Sequence, residues 1–176
     1  MTVAADNHMD IIMEIEERAK EVLDNWGIDS IPVNPIVIAI NEGINVYQVQ
    51  FADNVSGLIR KHKDNSVEIY LKDGEYRPRQ RFTTAHELGH YYLHLKSEKG
   101  NFVDGNQTLN RNANEFNIDT EEAQANQFAA ALLMPVDSVL DLLSRDYSVY
   151  EMAKAFDVSL PAMKIRLETL KTIGVI

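Results

Sequence analysis

Apolar positions fall into helical and strand rhythms in separate stretches of the chain. From Met9 to Trp26 they recur at 9, 12, 13, 19, 22, 23 and 26, one stripe of a helix that Gly27 stops. Asn34-Pro35 supplies the cap and first turn of a short second helix, closed by Gly43. Residues 44–51, 55–62 and 66–72 alternate or are rich in β-branched side chains. With Asp64-Asn65 and Asp73-Gly74 as punctuation they predict a small antiparallel sheet. Pro78 ends that region, and Thr83 or Thr84 caps a helix running to about Leu95. Residues 96–118 hold two glycines and six asparagines without period, a connection long enough to be a lid or an unstructured linker. Asp119 or Thr120 opens the next helix, "EEAQANQFAAALLM", which Pro135 stops. Three short helices follow at 136–144, 149–156 and 160–171; Ser148 and Glu151 are spaced as a capping box, and Ser159-Leu160-Pro161 is another start signal.

These elements describe an α+β chain of 176 residues, long enough for one full core. The expected division is residues 1–134, opening with an N-terminal helix over 1–30, and a small C-terminal helical subdomain over 135–176. Apolar residues make up 45% and charged residues 25%, the balance of a globular protein. The net charge of −10 argues against a protein that coats nucleic acid or an anionic membrane, while leaving room for a local basic site. No apolar run approaches the ~20 residues of a membrane span. The acidic N-terminus lacks the basic-then-apolar order of a signal peptide, so a cytoplasmic protein with no membrane partner is the simplest expectation. Without cysteine, any metal must be held by histidines and carboxylates.

Three of the five histidines lie in "FTTAHELGHYYLHL", at 86, 90 and 94. Residues four apart share a helix face about 6 Å apart along the axis, so His86 and His90 can turn both imidazoles to one ion. Glu87, one step round, can reach a water on the metal without binding the metal. Two ligands and one general base are the logic of HExxH. The 90/94 pair has Tyr91 where the base would stand, so only the 86/90 frame brings a base. On an unbroken helix His94 lies about 12 Å from His86 and cannot complete the set. No glycine follows His90 to bend the chain, which leaves a carboxylate on a later helix. A 100° step places Glu122 in one stripe with Ile118, Ala125, Asn126, Ala129 and Leu133, small or apolar apart from the asparagine. Packing that stripe would bury the glutamate, and a metal is a good partner for a buried carboxylate. Glu121, beside Phe128, is the weaker candidate. Asn126, one turn after Glu122, is placed to hydrogen-bond a ligand.

"RFTTAHELGHYYLHL" and "EEAQANQFAAALLMP" together resemble the ImmA/IrrE family of zinc metallopeptidases, whose pattern R-F-T-x-A-H-E-x-G-H and E-x-x-A-N-x-F-A-A-x-L-L-M-P they match almost letter for letter. "VSGLIRKHKDNSVEIYL" and "EMAKAFDVSLPAMKIRLETLKTIG" extend the likeness over most of the chain from about residue 34. The resemblance implies a zincin-like fold, one Zn2+ per chain held by His86, His90 and Glu122, and Glu87 as catalytic base. It also implies a role: known members act inside bacterial cells, often from prophages or mobile elements, and cut a helix-turn-helix repressor. The expected partner is therefore a protein substrate, a DNA-binding repressor or antitoxin. The rival expectation is a non-proteolytic regulator or toxin-antitoxin-type protein using the same fold to bind a partner or DNA.

Peptide hydrolysis also needs a donor for the developing oxyanion, and Tyr91, Tyr92 and His94 adjoin the second ligand. Residues 60–81 carry seven bases against four acids, so Arg77, Arg79 and Arg81 are candidates for docking an acidic substrate segment. The tail, two helices around a short turn, resembles a helix-turn-helix whose second helix carries Lys164, Arg166 and Lys171. With only four bases against three acids from 148 to 176, packing or protein recognition is favoured over direct nucleic-acid binding. Met152, Phe156, Val158, Met163 and Leu167 are its expected core.

Overall fold

The structure is a computed structural model that describes residues 3–51, 55–96, 118 and 120–176, with side chains described from residue 8 onward. The possible lid over 96–118 and the start signal at Asp119 fall almost wholly outside the described residues. The chain runs α1 (Val3–Asn25), α2 (Pro35–Asn41), β1 (Asn45–Val49), β2 (Gly57–Lys61), β3 (Val67–Lys72), α3 (Arg77–His90), a π-helical turn (Tyr91–Leu95), α4 (Glu121–Leu133), α5 (Val136–Ser144), α6 (Val149–Phe156) and α7 (Leu160–Thr172). The caps are those the sequence signals. The Asn34 side chain accepts from the Ile36 amide, Thr120 from Ala123 and Ser159 from Ala162, and Ser148 with Glu151 closes a full capping box. Gly27, at φ +61°, ends the first helical stretch, since a left-handed residue costs glycine little.

The expected antiparallel sheet is instead mixed, with strand order β1-β3-β2. β2 and β3 form the antiparallel hairpin across Asp64-Asn65, in register from Gly57↔Leu71 to Lys61↔Val67. β1 runs parallel to β3, from Asn45↔Glu68 to Val49↔Lys72. Burial explains the order: β3 buries Val67, Ile69 and Leu71 and takes the centre, whereas β1 is mostly exposed and takes an edge. A second departure concerns α3. It starts at Arg77 rather than at Thr83 or Thr84, because Pro78 opens the helix instead of ending the strand region; a missing amide costs nothing in a first turn.

One cluster of buried apolar residues runs through the described molecule. It joins Ile15, Ala19 and Val22 of α1, Ile38 of α2, Ile69 and Leu71 of β3, Leu88 of α3, Phe128 and Leu132 of α4, and Met152, Phe156, Met163 and Leu170 of the last two helices. Val158 and Leu167, expected in the core, pack against its margin. A buried ion pair reinforces the tail: Arg166, 1% exposed, donates to the Met134 carbonyl at 3.0 Å and forks onto the Glu16 carboxylate of α1, which also accepts from Gln127 at 2.8 Å. Arg166 is therefore withdrawn from the surface a helix-turn-helix would offer to DNA. No single helix among the described residues is long and apolar enough to cross a membrane.

Candidate metal centre

From Thr83 to His90 every residue of α3 is buried, so each polar side chain there needs a partner inside the protein. α4 supplies several. The two helices cross at Gly89 and Ala125, where a Cβ on the glycine would lie 2.9 Å from the Ala125 Cα. Only a residue without a side chain admits that approach. Glu122 and Asn126, on either side of Ala125, thereby reach the histidines.

His86 Nε2 and His90 Nε2 lie 3.1 Å apart. Glu122 spans them, with Oε2 3.4 Å from His86 Nε2 and Oε1 3.3 Å from His90 Nε2. Each of the three residues offers one donor atom within 4.8 Å of the others, the spacing of ligands around one ion. The tautomer of His86 sharpens the test. Its Nδ1 lies 2.9 Å from Asn126 Oδ1, which accepts only, so Nδ1 carries the proton and Nε2 presents a lone pair to the cluster. An imidazole lone pair and a carboxylate turned toward each other at this distance can share one cation, and the two-nitrogen, one-oxygen set suits a borderline metal such as zinc. Burial lowers the pKa of His86 despite its bonds to Glu122, which keeps the imidazole neutral as a ligand must be. For Glu122, burial alone would raise the pKa, but the imidazoles of His86 and His90 beside it prevail and hold it at about 2.

Glu87 stands beside this cluster, 2% exposed, beneath β2. Burial first, then the charge of Glu122, pushes its pKa up to about 8, while the Ile59 amide hydrogen-bonds to its carboxyl group. Its Oε2 has no hydrogen-bond partner among the described residues. Gly57 makes room for it, since a Cβ there would lie 2.9 Å from Glu87 Oε1.

The remaining candidates are placed as follows. His94 sits on the π-helical turn, so the helix is not unbroken as expected; its ring centroid is 5.7 Å from that of His90, and its Nε2 is buried without a partner. Tyr91 and Tyr92 turn away from the cluster. Their hydroxyls donate to Glu42, at 3.1 and 2.7 Å, beside Lys96. The cause is that Glu42 ends α2 as a half-buried carboxylate and draws every donor within reach. The three arginines, candidates for docking a substrate segment, also have partners within the protein. Arg81, 8% exposed, donates to the carbonyls of Phe156 and Asp157 at the end of α6, each at 3.1 Å. Arg77 pairs with the Asp157 carboxylate at 2.6 Å, and Arg79 donates to Ser56 Oγ at 2.8 Å. Carbonyls left over at a helix end, and an aspartate beside them, outcompete solvent for these guanidiniums. Sequence reasoning passed over Gly57 and Gly89. A glycine inside a helix is unfavourable, and that cost at Gly89 was the available signal of a close approach.

The family model described as Peptidase_M78, the IrrE N-terminal-like domain, matches residues 41–168. An "Uncharacterized immunity region protein 2" of Bacillus phage phi105 is 26% identical over 120 residues, 68% of this chain and 70% of that one. A solved structure of a Mycobacterium tuberculosis transcriptional regulator aligns with a TM-score of 0.61 at 15% identity, over 95% of this chain and 52% of the regulator. That likeness is one of fold alone, and this chain spans about half the regulator's length. Since the family model takes in both helices that build the cluster, the chain belongs to the IrrE N-terminal-like, Peptidase_M78, family.

Proposed function

We propose that this protein is a zinc-dependent endopeptidase that cuts one specific protein. The observation that carries the reading is the convergence of His86, His90 and Glu122 with Glu87 buried beside them. Held by those three residues, one zinc ion supplies the Lewis acidity that polarises a peptide carbonyl and makes water acidic. Glu87 takes the proton of the attacking water as the C–O bond forms and the carbonyl π pair moves to its oxygen; the pair then returns, the C–N bond breaks and Glu87 passes the proton to the departing amine nitrogen. Burial beside the three candidate ligands places the carboxyl group for this duty. Asn126 holds the His86 ring in its ligand tautomer. His94, whose ring lies 5.7 Å from that of His90 and whose Nε2 has no partner among the described residues, is the group we assign to the developing oxyanion.

The sheet offers a place for the substrate chain. Lys72 donates to the Ser56 carbonyl and His62 to that of Ser66, so the alternate residues Gly57, Ile59 and Lys61 face away from β3. That edge lies over α3, where the Ile59 amide meets Glu87. An extended peptide fits along such an edge. The family and the likeness to a phage immunity-region protein support a regulatory substrate, a DNA-binding repressor or antitoxin encoded nearby.

The test is to incubate the zinc-loaded protein with the product of the adjacent gene. Fragments that vanish with a chelator and with Glu87→Gln are expected, while that variant keeps one zinc per chain. Stable binding without fragments would instead favour a non-proteolytic regulator.

A further inference from the structure

Arg79, Thr83 and Glu87 follow one another at four-residue steps and form one stripe of α3 beneath the start of β2. The first and last are tied to that strand by hydrogen bonds, Arg79 to Ser56 Oγ at 2.8 Å and the Glu87 carboxyl group to the Ile59 amide. Thr83, between them, is not. It is fully buried, and its Oγ1 has no partner among the described residues. Threonines inside helices commonly give this hydrogen to the carbonyl four residues back, as Thr84 does to Gln80 at 2.8 Å. Thr83 does not, because its methyl group fills the space left by the missing side chain of Gly57, where a Cβ would come within 2.4 Å of it. The other orphaned polar atom of the stripe is Glu87 Oε2, on a carboxyl group that crowds the same glycine at 2.9 Å through Oε1. Two buried polar atoms without partners, one turn apart and packed on one residue, are costly to keep unless they serve each other.

We propose that Thr83 is a positioning residue for Glu87, its hydroxyl engaging Oε2 and fixing the carboxyl group toward the ligand cluster during proton transfer. Side chains four apart on a helix meet, so a change of the Glu87 rotamer closes the pair. A hydroxyl both donates and accepts, so it serves the carboxyl group with or without its proton, which an ammonium group in that place does not. The inference rests on the peptidase reading and adds a residue to it.

The test compares Thr83→Val, which keeps the shape and removes the hydroxyl, with Thr83→Ser, which keeps the hydroxyl. Zinc-loaded full-length proteins are assayed on the adjacent-gene product. Thr83→Val should lower kcat about tenfold with KM and zinc content unchanged, and Thr83→Ser should stay within about threefold of the parent. Independently of activity, the metal-free Thr83→Val protein should melt within a few degrees of the parent, because the shape is kept and at most one hydrogen bond is lost. Equal loss in both variants, an unchanged kcat in Thr83→Val, or a Tm several degrees lower in that variant overturns the role. A parent that cleaves no protein overturns the peptidase reading and this one with it, whereas a parent that cleaves beside an equally fast Thr83→Val overturns this one alone.

Discussion

Replacing Gly89 by alanine perturbs the metal centre without touching a ligand. The added Cβ would lie 2.9 Å from the Ala125 Cα, 3.0 Å from its carbonyl oxygen and 3.2 Å from its Cβ, and two of these three atoms are backbone. Carbon atoms in contact prefer about 3.5–4.0 Å, so α3 and α4 must part by roughly 0.6–1.1 Å. Stability registers little of this. Overpacking costs about 1–3 kcal/mol, and the change from glycine to alanine inside a helix returns about 1 kcal/mol of it. The metal registers much more. Glu122 and Asn126 ride on α4 on either side of Ala125, while ligand distances tolerate only about 0.2 Å. Zinc affinity should therefore fall at least tenfold to a hundredfold while the urea midpoint moves modestly. Competition against a chromophoric chelator measures the first and urea unfolding of the metal-free protein the second. A Gly89→Ala protein that binds zinc within about threefold of the parent would refute the claim that this crossing sets the ligand geometry.

Asn126→Ala should weaken zinc binding about 10–100-fold, as removal of an outer hydrogen-bond partner does, and Glu122→Ala should weaken it further; equal affinities for Glu122→Ala and the parent would remove Glu122 from the ligand set. Arg166→Ala should destabilise the metal-free fold by about 3–5 kcal/mol in urea, because it leaves the Glu16 carboxylate without its buried partner; a loss below about 1 kcal/mol would show that solvent already serves Glu16. In the metal-free protein the Glu87 carboxyl group titrates near 8 when folded and near its ordinary 4.5 when unfolded, so the stability it contributes is complete below 4.5 and is lost as pH rises to 8. Glu87→Gln, neutral throughout, should match the parent at pH 4.5 and gain on it steadily toward pH 8; parallel pH profiles of the urea midpoint would contradict this burial.

The sequence carried the site more fully than it carried the fold's connections. His86, Glu87 and His90 were legible because the four-residue spacing is itself the geometry, and Glu122 because a lone acid in a stripe of small and apolar residues has few reasons to be there. The start of α3 was misread because a proline serves equally to stop one element and open the next, and two threonines in a row imitate a cap. The parallel placement of β1 depends on which strand buries most, a property of the assembled sheet. The π-helical turn depends on the reach of Tyr91 and Tyr92 to Glu42, some fifty residues earlier. Charge is visible in a sequence, and its direction is not. Arg77 and Arg81 are candidates for docking in the sequence, and the partner they meet in the fold, Asp157, lies 80 and 76 residues further on.

What makes this helix able to hold chemistry is the absence of side chains at two contacts. α3 is polar for a buried helix, and it survives burial because a strand and a helix come close enough to serve its polar groups from two sides. Gly57 lets β2 descend until the Ile59 amide reaches Glu87, and Gly89 lets α4 approach until Glu122 and Asn126 reach the histidines. The two approaches are separate, so they divide the work: Gly57 sets the place of Glu87, and Gly89 that of Glu122 and Asn126. A Gly57→Ala change should therefore injure cleavage while sparing zinc, whereas Gly89→Ala should lose zinc first and cleavage with it.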